Sequence, residues 1–247
     1  MLLGIAAKRQ KLLLANMSSG EGTSELLQPK IISMEVDDED SYESEYRLQI
    51  GTQVKYLIIN PRTYDRDTLS FPLASLPPLQ YDATWTVAHI SRSPSGTLRT
   101  SFSNCKFASI KSLWHPTTID YFDLVKTEQL TAAAYEAMPS PALAPTLGTS
   151  PIIAKIARFE WEIPRLEQET RIYRLLSGSG LAPRFLGHIR EGDRVIGFVL
   201  EKVAGRAAGV EDLEACREVL GRLHGMGVVH GDVNRLISLL GRGGEDY

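Results

Sequence analysis

The strongest constraint on this chain lies in its C-terminal third, where short apolar runs alternate with helical periods and a turn residue marks each change. Pro151 to Phe159 (PIIAKIARF) has the length and β-branched content of a buried strand, with one lysine, Lys155, at its centre. Pro164 stands where a first helical turn tolerates proline, RLEQETRIYRLLSG follows, and Gly178 is the expected stop. Leu166, Glu169, Ile172, Tyr173 and Leu176 share one face of that helix at the 3.6-residue period. RFLGHIR (Arg184 to Arg190) and RVIGFVLEKV (Arg194 to Val203) read as strands joined at Glu191-Gly192-Asp193, which is good hairpin chemistry. VEDLEACREVLGRLHGMG then puts Leu213, Cys216, Val219, Leu220 and Leu223 on a second helix face, ends at Gly225 and Gly227, and leads into VVHGDVNRLISLL. The order is strand, helix, two strands, helix, loop, which is an α+β pattern.

A lysine inside an apolar strand is costly unless its ammonium meets an anion. The plainer account of Lys155 is an edge-strand lysine whose stem lies on the sheet and whose charge reaches water. Strand with lysine, helix with glutamate, hairpin, helix and then His-Gly-Asp form an ordered series, and in it the sequence resembles the protein-kinase-like superfamily, in particular fungal kinase-like proteins with a catalytic loop in the aminoglycoside/choline-kinase style. The residues carrying the resemblance are Ile153-Ala154-Lys155, Glu169 in LEQETRIY, the strands FLGHI and VIGFVLEKV, and LHGMGVVHGDVN. These cover about 118–247, and SLWHPTTIDYFDL and ARFEWEIPRLEQET, which are similar to the fungal group more specifically, extend the resemblance upstream.

The resemblance implies a division of labour. Phosphoryl transfer requires neutralised charge and reactants held in line more than covalent help from the protein. Lys155 would bind the α- and β-phosphates of ATP, held by Glu169 from the following helix. Glu167 competes for that pairing; Glu169 is preferred because it stands four residues before Tyr173 on the apolar face. Glu201 to Ala204 would form the hinge, with backbone groups at Glu201 and Val203 meeting the adenine edge. Asp232 would be the catalytic base for a substrate hydroxyl and His230 would brace its loop. Gly-Asp is also ordinary turn chemistry.

Three departures from the family pattern set the expected activity. No glycine-rich loop precedes Lys155; the equivalent turn is expected at Val125 to Thr131 (VKTEQLT), which lacks glycine and would cradle phosphates poorly. The position five residues after Asp232, where the family has a magnesium-binding asparagine, is Ile237, which cannot ligate a hard cation; Asn234 stands nearby. The sequence given ends at Tyr247 without an Asp-Phe-Gly element, and Asp246 lacks the flanking residues of one. The expectation is a protein kinase-like protein, an ATP-dependent phosphotransferase by resemblance, truncated and inactive as this chain, with ATP as the possible cofactor and magnesium binding in doubt. The alternative is a non-catalytic, pseudokinase-type binding or scaffold module.

The whole chain is expected to be α+β. It would hold a disordered acidic leader over 1–45, a β-rich extension over 46–117, a kinase-like small lobe over 118–204 (antiparallel sheet plus one helix), and over 205–247 only the first helix and catalytic loop of the large lobe. Glu35 to Glu45 holds seven acids and no base, more than the whole net charge of −3, and suits a solvated linker. YRLQIGTQVKYLIIN, WTVAHISR and TLRTSFSN read as strands that add to the small lobe or lie over it, the last two forming a hairpin across Ser93 to Gly96, and residues 138–150 read as a Pro/Ser/Gly linker.

Composition bounds the rest. Residues 151–247 balance fourteen bases against fourteen acids, so nucleic acid is not an expected partner. No apolar run approaches membrane-spanning length. Two cysteines, Cys105 and Cys216, exclude a disulfide framework and fit a reducing, cytoplasmic or nuclear setting, with a mitochondrial presequence the lesser reading of the basic N-terminus. Cys216 is expected buried; Trp85, Trp114 and Trp161 are expected as core anchors; His89, His115, His188 and His224 lack metal-ligand spacing. The 211–225 helix, short of partners within this chain, is the candidate surface for a protein partner or a dimer.

Overall fold

The computed structural model describes residues 29–37, 39–77, 79, 84–229 and 239–240. It is mixed α+β and divides into two compact units, Met1–Lys106 and Phe107–Tyr247. Among the described residues no helix is long and apolar enough to cross a membrane.

The first unit is a five-stranded sheet in sequence order: β1 (Lys30–Glu35), β2 (Ser44–Ile50), β3 (Gln53–Ile59), β4 (Val87–Arg92) and β5 (Leu98–Ser103). Strand alternation puts Tyr46, Leu48 and Ile50 of β2 on one face with Leu57 and Ile59 of β3 and Ala88 and Ile90 of β4, where they pack with Leu69 and Trp85. β3 and β4 run parallel, and the connection between them contains a short helix, α1 (Arg66–Ser70), capped by the Asp65 carboxylate on the Thr68 N–H at 2.8 Å. Two expectations are corrected here. A strand, β1, lies inside the stretch read as a disordered leader, because Ile31 and Met34 pair with Leu48 and Tyr46. The described residues of 46–103 add no strand to the second unit's sheet; they build their own with β1, and the division falls at Lys106.

The second unit is a six-stranded sheet in the order β6-β10-β11-β9-β8-β7, formed by β6 (Thr118–Asp120), β7 (Leu124–Thr131), β8 (Ala134–Pro139), β9 (Ile152–Ile156), β10 (Phe185–Glu191) and β11 (Arg194–Glu201). The expected antiparallel sheet is mixed, since β6 pairs parallel with β10. One face buries Ala137, Ile152, Ala154, Ile156 and Val199. It is covered in part by Leu143 and Leu147, around a short helix, α2 (Ala144–Leu147), in the stretch expected to be a linker. The opposite face buries Phe185, Val195, Phe198 and Leu200 under α3 (Ile163–Leu176), with Ile163 and Leu166 pointing inward. Gly197 of β11 lies so close to β9 that an added Cβ would stand 2.0 Å from the Lys155 carbonyl, so glycine is required there.

After β11 the chain forms a short strand, β12 (Arg206–Ala207), paired with β13 (Leu239–Leu240), and then helix α4 (Leu213–Gly225). Arg206 grips the Asp212 carboxylate with both guanidinium nitrogens, at 2.6 and 2.8 Å. Leu223 of α4 is buried with Leu176 and Val228, whereas Leu213 and Val219 stay exposed and Cys216 is only half-buried. Trp85 is a core anchor and Trp114 packs on the α3 side, but Trp161 is 56% exposed, lying against Phe159 rather than in the core.

Candidate functional site

β9 is an internal strand between β11 and β8, which removes the edge-strand account of Lys155. Lys155 sits opposite Phe198 on β11 and Ala134 on β8. Cross-strand partners share a face, so the Lys155 stem lies on the side carrying α3. Its ammonium forms an ion pair with the Glu169 carboxylate of α3, and the two side chains keep 28% and 21% exposure. Glu169 also lies 3.4 Å from Arg165, one turn earlier. One turn later stands Tyr173, whose hydroxyl pKa is pushed up to about 12 by burial and by the nearby Glu169 charge. A cation on an inner strand with its carboxylate partner on the packed helix can receive a second anion, such as a phosphate.

Glu167, the competing carboxylate, serves a different contact. Its oxygens accept from the Lys111 N–H at 2.6 Å, the Ser112 N–H at 3.3 Å and the Ser112 hydroxyl at 2.5 Å, and Arg171 lies 2.9 Å away. Burial alone would raise its pKa; these hydrogen bonds outweigh burial and bring it down to about 2. The Lys111 and Ser112 donors belong to an irregular strap, residues 107–117, several of whose backbone polar groups find their partners on the neighbouring helix and strands. The Ala108 N–H donates to Glu160 at 2.5 Å, the Ile110 N–H to the Val195 carbonyl at 2.9 Å, and the Trp114 indole to the Thr170 carbonyl at 3.1 Å. Ile110 is buried in the core beneath α3. Ser112, Arg171 and Thr170 carried no sequence signal; their roles follow from the strap reaching α3.

Two residues along β9 from Lys155, Ile153 faces the same side, flanked by Glu136 on β8 and Leu200 on β11. Glu136 forms an ion pair with Lys202, just past the end of β11, and accepts from the Thr127 hydroxyl at 3.1 Å. These two charged residues were missed in the sequence, though Glu136 stands alone in the apolar strand AYEAMP much as Lys155 does in its own.

Lys202 to Gly205 leave the sheet where the hinge is expected. The Glu201 N–H donates to the Arg184 carbonyl at 2.9 Å, its carboxylate lies 3.4 Å from Arg184, and Val203 is half-buried. The turn expected at Val125 to Thr131 is strand β7 instead. The hairpin tip lies at Ala132-Ala133, where the Ala134 N–H donates to the Thr131 hydroxyl at 3.1 Å. His230 and Asp232 lie outside the described residues, as do Asn234, Ile237 and Asp246. No group of three or more His, Cys, Asp or Glu side chains able to hold a metal ion occurs among the described residues. His115 and His188 do meet: the His115 N–H donates to His188 Nε2 at 3.3 Å within a cluster of Trp114 and Phe185 rings.

No protein-family model matches this sequence, and no curated protein matches it.

Proposed function

We propose that the second unit is a protein kinase-like small lobe that binds a nucleotide, with Lys155 neutralising the α- and β-phosphates of ATP and Glu169 holding the lysine in place. The observation that carries this reading is the Lys155–Glu169 pair itself, with a lysine on an internal strand of a six-stranded sheet and its carboxylate partner on the helix packed against that sheet. In this reading the stretch Glu201 to Ala204, which begins three positions beyond the residue opposite Lys155, presents backbone groups at Glu201 and Val203 to an adenine edge. Ile153 and Leu200 supply apolar surface between the two. In this reading Asp232 is the base of a kinase-type loop and His230 braces it. With Ile237 at the magnesium position, the chain binds nucleotide without transferring phosphate.

The test is thermal denaturation of the purified chain in millimolar ATP without magnesium. The expected result is a raised Tm that Lys155→Met abolishes. An unchanged Tm across that range overturns the reading. ATP-dependent transfer to a hydroxyl substrate, lost in Asp232→Asn, would restore the enzyme and refute the binding-only function.

A further inference from the structure

The Glu136–Lys202 pair occupies a defined place on the face that carries Lys155. Glu136 and Leu200 are the two cross-strand neighbours of Ile153, so all three side chains rise from the same side of the sheet. Strand β9 lies between β8 and β11, and Lys202 follows β11 directly. An ion pair from β8 to the end of β11 must therefore cross β9, a span of about 9–10 Å at ordinary strand spacing. It crosses at the Ile152–Ile153 end, about 7 Å along the strand from Lys155.

The carboxylate is prepared for this contact. Thr127 of β7 donates to it from the other side, and the Lys202 ammonium holds its pKa below the ordinary glutamate value. Lys202 itself is exposed, with solvent on its outer side. A side chain that reaches inward from an exposed position, over apolar Ile153, can also swing away to water.

We propose that the Glu136–Lys202 pair is a latch across the base-binding end of this face, and that an entering nucleotide displaces it. The proposal rests on the nucleotide reading of the Lys155 site. With its phosphates at Lys155 and its base over Ile153, the ligand takes the space the pair spans. Binding and latch closure therefore exclude one another, and part of the binding free energy goes into opening the latch.

Equilibrium binding of adenosine and of ATP to the full chain tests this, by calorimetry on wild type, Glu136→Gln, Lys202→Gln and Lys155→Met. Adenosine is neutral and reports opening without charge attraction. The expected result is adenosine binding tighter by about two- to five-fold in both Glu136→Gln and Lys202→Gln, the range for losing an exposed ion pair. The swap of Glu136→Lys with Lys202→Glu should return the affinity to the wild-type value. Added salt should tighten adenosine binding to wild type but not to Glu136→Gln. This salt comparison needs only one variant to fold. If wild type binds adenosine, Lys155→Met weakens ATP, and neither latch variant tightens adenosine, the latch is wrong and the nucleotide reading stands. If no variant binds either ligand, the nucleotide reading fails and the latch falls with it.

Discussion

At His188 the second unit buries an imidazole with only one ring nitrogen bonded. Nε2 accepts from the His115 N–H, so the neutral ring carries its proton on Nδ1, which has no partner. Burial first, and then the neighbouring His115, lower its pKa to about 4. An unfolded histidine takes up a proton near pH 6.5, whereas the folded one resists to about 4, so stability falls as pH drops through that window and is unaffected above it. The expected outcome is a Tm that declines between pH 6.5 and 4 in wild type and much less in His188→Gln, which retains an acceptor for His115. Parallel profiles would refute it. Among single residues, Lys155 and Glu169 were legible because a charge in an apolar run and a carboxylate on a helical stripe stand out against their own neighbours. His188, Glu136 and Lys202 were not, because what matters about each is a partner 66 or more positions away.

Helix α3 could be placed from its proline start and apolar face, and it spans Ile163–Leu176, one residue off at the start and end of the expected range. The β7–β8 hairpin was harder. Leu124–Thr131 is exposed along all but its first residue, so it carries no apolar alternation, and its pairing is fixed by β8 instead. The strap was the least legible element, since a segment without periodicity reads as loop whether or not it is pinned. Its hold on α3 gives a prediction. Glu167→Gln should cost about 1–3 kcal/mol, because the Lys111 and Ser112 donors lose a charged acceptor. The difference in Tm between wild type and this variant should be full above pH 4.5 and shrink as pH falls towards 2, where Glu167 itself protonates. Amide exchange across α3 and residues 108–114 should quicken together; quickening in the strap alone would show that Glu167 does not couple them.

On the scale of the whole chain, each unit has its own sheet and its own core, and the passage between them is exposed at Asn104, Cys105 and Lys106. Native trypsin should therefore accumulate a fragment beginning at Phe107, read by mass spectrometry; its absence while other sites are cut would mean that the junction is protected. The α+β class was readable from the order of strand and helix periods, but the division was not, because the strands of the first unit have the same apolar pattern whether they extend one sheet or start another. The junction has a mechanical consequence. Residues soon after it grip Glu160, just before α3, and Glu167 and Thr170 on α3 itself, while Glu169, about 200° around the axis from Glu167, is gripped by Lys155. Two grips on opposite sides of a rod resist its rolling, so a pull on the peptide after Lys106 would load α3 with torque, while the bond from Ile110 to Val195 carries part of the same pull straight into β11.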